Sequence, residues 1–216
     1  MVIVGAKGFA KEVLEIFSQR GELNQLFFFD NISTDLPEKL YGRFTILRTI
    51  NEVKEMFRKT GDARFTLGLG NPVLRYNLNK KFTEIGGQLM SAISPNTDIG
   101  SFGTSIASGC NILSGTIITN DVTLNTGCLI NPGCTISHDS VLSDFVQLSP
   151  GVRVTGNCFI GPYSQLGTNS VIIPKVKIGK NVVVAAGAVV TKDVPDNVMV
   201  AGVPAVIKKK LVALEI

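Results

Sequence analysis

A repeat of six residues runs through the second half of this chain of 216 residues and restricts the folds that it can adopt. From Ile106 to Val190, every sixth residue is Ile, Leu or Val, without exception over fifteen positions. A fixed short period indicates a solenoid, because each unit buries its apolar face only against its neighbours. The sequence therefore predicts a left-handed parallel β-helix of hexapeptide repeats, with three repeats in each of about five coils.

A second restricted position lies four residues after each of these aliphatic residues. From Cys110 to Ala188 it carries only Cys, Ser, Thr, Val or Ala, which are small or β-branched. All four cysteines fall on this position, and none has the CxxC spacing of a metal site. We expect them to pack as small buried side chains rather than to form disulfides, bind zinc or act as nucleophiles.

The first third of the chain has a different pattern, in which short apolar strands alternate with helical segments. Residues 2–4, 26–29 and 64–69 have the composition of buried strands, and amphipathic stretches separate them. This order predicts a small α/β, Rossmann-like domain with a parallel sheet over residues 1–88. Residues 89–216 would then form the β-helix domain with a C-terminal tail.

The segment Gly5-x-x-Gly8-x-Ala10 connects the first predicted strand to the first helix. In dinucleotide-binding proteins, similar glycines bring the backbone close to phosphate groups at a helix N-terminus. Asp30 ends the second strand about 20 residues later, where an acidic side chain reaches a ribose or a base. Since the domain is too short for a second mononucleotide-binding half, we expect a nucleotide-linked ligand rather than NAD.

Composition and charge exclude several classes of partner. The formal net charge is +4, and the lysines towards the end of the chain, such as Lys208 to Lys210, have no interleaved aromatic residues. We expect no nucleic-acid partner, and these lysines either are solvated or attract a polyanion such as CoA. No apolar run approaches the ~20 residues that span a bilayer, and the N-terminus does not resemble a signal peptide. We therefore expect a cytoplasmic protein without membrane insertion.

His138 is the only histidine of the chain, and the repeat places it in a turn rather than in the core. Because a neutral imidazole accepts a proton near neutral pH, we expect His138 to act as a general base. Asp139 follows it and would favour the charged imidazole. A single histidine cannot supply the zinc ligands of a γ-type carbonic anhydrase, so we exclude that class and expect no metal.

Gly156 lies 18 residues after His138, at the equivalent position of the next predicted coil. A bare backbone at this position would let a thioester lie close to the histidine. The Gly156 N–H would then stabilise the oxyanion that forms during acyl transfer.

Six further segments of the chain are characteristic, namely FFDN at 28–31, GNPVLR at 70–75, ISHDSVLSDF at 136–145, TGNCFIG at 155–161, AAGAVVTKDVP at 185–195 and AGVPA at 201–205. With these segments, the chain resembles the NeuD/PglD group of bacterial sugar acetyltransferases over essentially its full length. Many acyltransferases share the hexapeptide pattern, but the N-terminal glycine loop combined with the His138–Asp139 pair and an AGVPA tail is much more specific.

The resemblance implies an acetyl-CoA-dependent N-acetyltransferase that modifies a nucleotide-linked amino sugar by direct transfer, in bacterial glycan biosynthesis. The N-terminal domain would hold the nucleotide-activated sugar, and acyl-CoA would lie along the β-helix between subunits of a homotrimer. His138 would be the base, assisted by Asp139. The implied sugar-nucleotide residues are Lys7, Gly8, Phe9, Asp30, Asn31, Asn71 and Arg75. The implied acetyl-CoA residues are Gln147, Gly156, Thr168, Ala186 and Lys192.

Three residues depart from the family pattern. Phe9 and Ser94 stand where the family commonly has His, and Gln147 replaces a second active-site His of many members. Because Gln donates a hydrogen bond but carries no proton, we expect the positioning of acyl-CoA to differ. Two other functions stay open, namely O-acetylation of a sialic acid or another sugar, and a non-catalytic trimeric scaffold that binds a sugar nucleotide.

Overall fold

A computed structural model describes residues 1–215 of the chain. These residues form two compact units, Met1–Pro95 and a second that begins at Asn96. In the first unit the elements are β1 (Val2–Val4), α1 (Gly8–Gln19), β2 (Phe27–Phe29), β3 (Lys39–Leu40), β4 (Phe44–Leu47), α2 (Ile50–Thr60), β5 (Arg64–Leu67), α3 (Pro72–Glu84), β6 (Gln88–Leu89) and β7 (Ala92–Ile93).

The first unit contains a sheet in the order β3-β4-β2-β1-β5-β6. All neighbouring strands are parallel except the β3–β4 pair. The predicted α/β domain is therefore confirmed. The boundary expected after residue 88 falls inside β6, which pairs with β5 and so belongs to this sheet.

The strand order changes direction at β1, because β2 lies on one side of it and β5 on the other. In open parallel sheets, ligands bind at the carboxyl ends of the strands beside such a switch point. Two close approaches hold this region together. A Cβ on Gly5 would lie 2.6 Å from the Gly68 carbonyl oxygen, and one on Gly68 would lie 2.8 Å from the Ala10 Cβ. Glycine at both positions therefore lets the loops after β1 and β5 meet.

The second unit consists mainly of two-residue strands separated by turns of four residues or slightly more. They are β8 (Asp98–Ile99), β9 (Ser105–Ile106), β10 (Asn111–Ile112), β11 (Ile117–Ile118), β12 (Thr123–Leu124), β13 (Leu129–Ile130), β14 (Thr135–Ile136), β15 (Val141–Leu142), β16 (Gln147–Leu148), β17 (Arg153–Val154), β18 (Phe159–Ile160), β19 (Gln165–Leu166), β20 (Val171–Ile172), β21 (Lys177–Ile178), β22 (Val183–Val184) and β23 (Val189–Val190).

These strands form the three faces of a β-helix, which confirms the predicted fold. We call the sheet containing β10, β13, β16, β19 and β22 face 1, the sheet containing β8, β11, β14, β17, β20 and β23 face 2, and the sheet containing β9, β12, β15, β18 and β21 face 3. Parallel partners lie one coil apart, as in the pair Thr135 and Arg153. The second residue of each strand points inward, and from β10 onward all of these aliphatic side chains are buried.

A hairpin follows the repeat strands of the second unit. β24 (Val198–Gly202) continues face 1 in parallel with β22, and β25 (Ala205–Lys210) returns antiparallel to it. The turn of this hairpin contains a cis peptide bond between Val203 and Pro204. Within residues 1–215, no helix is long and apolar enough to span a membrane.

The small interior position of the repeat carries a series of side-chain hydrogen bonds to the coil that follows. The Ser140 hydroxyl donates to the Thr155 carbonyl oxygen at 2.9 Å, and the Cys134 thiol donates to the Ser149 carbonyl oxygen at 3.2 Å. All four cysteines are free and buried, as expected for packing residues. Burial raises the pKa of the Cys134 thiol to about 11, so this group stays protonated and unreactive near neutral pH.

Candidate active site

His138 lies in the turn between β14 and β15, on the edge where face 2 meets face 3. Its imidazole and the carboxylate of Asp139 are both more than half exposed, at 61% and 53% of their side-chain surface. The His138 Nδ1 lies 2.7 Å from the Asp139 Oδ2. When Nδ1–H donates to this carboxylate, Nε2 is left with its lone pair free to accept a proton.

The local backbone explains why Asp139 faces the ring. Almost every turn of the β-helix contains one residue with a positive φ, and Asp139 occupies this place with φ of 58°. Apart from glycine, Asp and Asn adopt the left-handed conformation most readily. The same residue therefore satisfies the turn and supplies the carboxylate.

Gly156 stands directly against the imidazole, as the 18-residue spacing predicts. A Cβ at this position would lie 2.7 Å from His138 Nε2 and 2.6 Å from Cε1. Any side chain at residue 156 would therefore displace the ring or cover its free nitrogen. The Asn157 N–H donates to the His138 carbonyl oxygen at 2.9 Å, which ties the two turns together.

The other residues expected to contact acetyl-CoA are spread over several parts of the β-helix. Thr168 and Ala186 lie in successive turns on the edge between faces 1 and 2, and the Gly187 N–H donates to the Thr168 carbonyl oxygen at 2.8 Å. Lys192 is exposed in the turn after β23, on the same edge as His138.

Gln147 begins β16 on face 1, and this is the one face that does not border the edge carrying His138. Its Oε1 is buried and has no hydrogen-bond partner among the described residues. A single chain therefore does not bring Gln147 and His138 together.

The first unit has two adjoining cavities at the carboxyl ends of β1 and β2. One of about 220 Å³ is bordered mainly by apolar side chains such as Leu69 and Leu74, together with Gly5, Asp30 and Asn31. The other, of about 390 Å³, shares the residues from Asp30 to Ser33. Two of the predicted sugar-nucleotide residues, Asp30 and Asn31, thus border both cavities.

The N-terminus of α1 is open to solvent near this region. Lys7 is its N-cap and provides no side-chain cap, so the first N–H groups of the helix are available to an anion. Apart from its chain neighbours and its own helix, no atom of residues 1–215 would lie within 4 Å of a Cβ on Gly8. Lys7 forms an exposed ion pair with Asp35, at 2.9 Å between Nζ and Oδ1, and Phe9 is half-buried in the first turn.

Comparison with known proteins adds to this geometry. Residues 1–82 match the PglD N-terminal domain family, and residues 157–192 match the bacterial transferase hexapeptide family. A mutant of perosamine N-acetyltransferase from Caulobacter crescentus, crystallised with CoA and GDP-perosamine, is 30% identical with a TM-score of 0.89. The alignment covers 97% of this chain and 96% of that protein. The chain belongs to the NeuD/PglD family of bacterial sugar acetyltransferases.

Other relatives of this NeuD/PglD family member align with different shares of the chain. The acetyltransferase domain of PglB from Neisseria gonorrhoeae, in complex with acetyl coenzyme A, is 27% identical with a TM-score of 0.86, over 96% of this chain and 98% of that domain. Galactoside O-acetyltransferase from Lactococcus lactis is 41% identical over 69 residues. That match covers 30% of this chain, which spans only about a third (33%) of that curated relative.

Two of the expected substrate residues of this family member have structural contacts within the first unit. The Asn71 side chain accepts a hydrogen bond from the Leu74 N–H at 3.0 Å and so caps α3. Arg75 is only 1% exposed, and its Nε donates to the Gly70 carbonyl oxygen at 3.1 Å. Arg75 thus has almost no surface for a ligand in this structure, because α3 turns it into the interior.

Sequence reasoning missed Arg48, which borders the larger cavity. It directly follows β4, whose parallel neighbour β2 is followed by Asp30. The carboxyl ends of neighbouring parallel strands meet at one edge of a sheet. The position of Arg48 immediately after the buried segment FTIL could therefore have predicted that it lies beside Asp30.

No cluster of three or more potential metal ligands occurs within residues 1–215.

Proposed function

We propose that this chain is an acetyl-CoA-dependent N-acetyltransferase that acts on a nucleotide-linked amino sugar in bacterial glycan biosynthesis. The observation that carries the proposal is the arrangement of His138, whose Nδ1 is held by Asp139 at 2.7 Å while Nε2 faces Gly156. This is the geometry of a general base beside a space kept free for substrate. Similarity to a protein crystallised with CoA and GDP-perosamine supports the two substrates.

In the proposed reaction, the amine of the sugar attacks the thioester carbonyl carbon of acetyl-CoA. His138 Nε2 takes a proton from the nitrogen as the N–C bond forms, and the tetrahedral intermediate expels CoA by breaking the C–S bond. The imidazolium then returns the proton to the CoA thiolate. Asp139 keeps the ring in the required tautomer and stabilises its charged form.

We assign the oxyanion contact to the backbone N–H of Gly156. A glycine allows the thioester to lie against the backbone beside Nε2, because a Cβ would occupy the same space. A backbone N–H directed at the developing negative charge lowers the barrier by stabilising the transition state more than the ground state.

The nucleotide end of the acceptor is assigned to the first unit. The open N-terminus of α1, with Lys7 and Gly8, suits a diphosphate. The cavities bordered by Asp30 and Asn31 suit a ribose and a base. Phe9, in the first turn of α1, stays in the proposed contact set, whereas Arg75 does not.

The proposed active form is a homotrimer with its sites at subunit interfaces. Gln147 lies on the face that does not border the His138 edge, so it contacts acetyl-CoA near His138 only if a neighbouring copy supplies it. Thr168 and Ala186 lie on the edge between faces 1 and 2, away from the edge that carries His138. We therefore assign their contacts with acetyl-CoA near His138 to a neighbouring copy as well.

Both proposed substrates are cytosolic metabolites, so we also keep the expectation of a cytoplasmic protein.

A screen for CoA release tests the proposed function. The wild-type chain is mixed with acetyl-CoA and a panel of UDP-, dTDP- and GDP-linked amino sugars, each paired with the analogue that carries a hydroxyl in place of the amine. We expect release with at least one amino sugar and little with its hydroxyl partner. Absence of release with every amino sugar would overturn the proposal.

O-acetylation is the second candidate, because the galactoside O-acetyltransferase matches part of this chain at 41% identity. A hydroxyl is less nucleophilic than a free amine but also requires a base at the position of His138. Faster CoA release with the hydroxyl analogues than with the amino sugars would decide in favour of this reaction.

A further inference from the structure

One arginine holds the loop that borders both cavities of the first unit. This loop, residues 30–37, follows β2 and contains no regular secondary structure. Arg48 Nη1 donates to the carbonyl oxygens of Asp30 at 3.1 Å and Ser33 at 2.9 Å. Its Nη2 donates to those of Leu36 at 2.9 Å and Pro37 at 3.3 Å. A single side chain therefore connects the beginning of the loop to its end.

The number of N–H groups on the Arg48 guanidinium indicates whether this side chain can also bind a ligand. The two terminal nitrogens of a guanidinium carry four N–H groups, and in this structure four carbonyl oxygens accept from them. The fork that would bind a phosphate or carboxylate is therefore engaged by the backbone. Arg48 acts on the loop rather than on a ligand.

The Asp30 N–H donates to the Leu47 carbonyl oxygen at 3.0 Å and so ties the first residue of the loop to β4. The side-chain contacts of the loop other than those of Arg48 are local or exposed. The Asp30 carboxylate accepts from the N–H groups of Ile32 at 3.1 Å and Ser33 at 2.8 Å, which fixes only the first turn. Towards its end, Asp35 pairs with Lys7, but both side chains are more than half exposed. Exposed ion pairs contribute little, so Arg48 is the main side-chain connection between the loop and the sheet.

We propose that Arg48 is a positioning residue for the nucleotide part of the acceptor. By holding residues 30–37, it keeps Asp30 and Asn31 in the places where they meet the ligand. This inference rests on the proposed function of the first unit. Since Arg48 touches neither acetyl-CoA nor the reacting atoms in this account, its loss weakens binding of the sugar nucleotide and leaves the chemical step intact.

Steady-state kinetics of Arg48→Met and Arg48→Lys test the inference, with the amino sugar that gives the fastest CoA release for the wild type. Without the guanidinium, only a fraction of the loops has the binding conformation, and the apparent affinity falls by that fraction. For Arg48→Met we expect KM for the sugar nucleotide to rise about tenfold, with kcat and KM for acetyl-CoA within about twofold of wild type. Arg48→Lys has three donors on one nitrogen and should give an intermediate KM.

Arg58→Met is the matched control, because Arg58 lies on α2 in the same unit and, among residues 1–215, its side chain pairs with Glu55 alone, at the surface. It should leave both KM values unchanged. An unchanged KM for the sugar nucleotide in either Arg48 variant, or a fall in kcat alone, overturns the inference. If Arg48→Met does not fold, the Lys variant decides by the same criteria. Failure of the proposed function is distinct, because the wild type itself would then release no CoA.

Discussion

At the scale of single residues, Asp139 combines a conformational and an electrostatic requirement. Its φ of 58° is needed by the turn, and its carboxylate lies 2.7 Å from His138 Nδ1. Asparagine tolerates the same backbone conformation and still accepts the hydrogen bond, but it carries no charge. Replacement of Asp139 by Asn therefore isolates the contribution of the charge.

We predict that Asp139→Asn lowers kcat by about ten- to a hundredfold, because the imidazolium loses its counter-charge. The unfolding temperature should change by no more than a few degrees. Asp121→Asn is the control, since Asp121 has φ of 57° at the equivalent turn one coil earlier. An Asp139→Asn enzyme as active as the Asp121→Asn enzyme would show that the carboxylate does not assist the base.

Gly156 gives a second test at this scale. A Cβ 2.6–2.7 Å from the imidazole is closer than real contacts allow, so Gly156→Ala must move the ring or fill the space beside Nε2. We expect kcat/KM to fall at least about a hundredfold, the range associated with loss of a positioned base, while circular dichroism stays that of the wild type. Retention of most of the activity would contradict the placement of the thioester at Gly156.

The sequence was sufficient for the contact between His138 and Gly156, because a period of 18 residues fixes which side chains lie one above the other. It was insufficient for the roles of Arg75 and Arg48. The burial of one and the carbonyl contacts of the other depend on loop conformations that no short period determines.

At the scale of elements, the β-helix repeats one interaction with interchangeable side chains. The small interior position donates to a carbonyl oxygen of the following coil whether it is Ser140, Ser164 or Cys134. Sequence analysis predicted that the cysteines pack in the interior but not that they donate hydrogen bonds. The periodic pattern reveals the size of the side chain at this position, whereas the acceptor becomes visible only in the stacked coils.

We predict that Cys134→Ser changes the free energy of unfolding by less than about 1 kcal/mol, because the hydroxyl keeps the bond to Ser149. Cys134→Ala removes both the bond and part of the packing and should destabilise by about 1–2 kcal/mol. Denaturant unfolding monitored by circular dichroism measures the difference. Equal stability of the two variants would mean that the thiol contributes only volume.

The raised pKa of the Cys134 thiol leads to a separate prediction about reactivity. The group is protonated below its pKa of about 11, and the thiolate is the species that reacts. Iodoacetamide should therefore label the native protein slowly at pH 8 and the unfolded protein rapidly. Mass spectrometry of timed samples measures this, and fast labelling of Cys134 in the native state would contradict its burial.

At the scale of the whole molecule, the proposed site needs more than one copy of the chain. The residues expected to contact acetyl-CoA lie on different edges and faces of one β-helix, and this distribution follows directly from the repeat. The sequence alone gives the edge on which each residue lies, but not the surfaces that meet when copies associate.

Light scattering on a sizing column should give a mass three times the chain mass of 23.1 kDa, because the proposed homotrimer closes by rotational symmetry and places its sites at the interfaces. The activity per chain should fall when dilution dissociates the assembly. A monomer with full specific activity would contradict the placement of the sites at interfaces.

The most direct test of the central claim follows the acetyl group itself. Wild-type protein and His138→Ala are incubated with deuterium-labelled acetyl-CoA and a nucleotide amino sugar, and fragmentation mass spectrometry locates the label. We predict that the wild type places the label on the sugar nitrogen, while the variant binds both substrates in calorimetry but transfers none. Transfer by His138→Ala at the wild-type rate would contradict the account of this site.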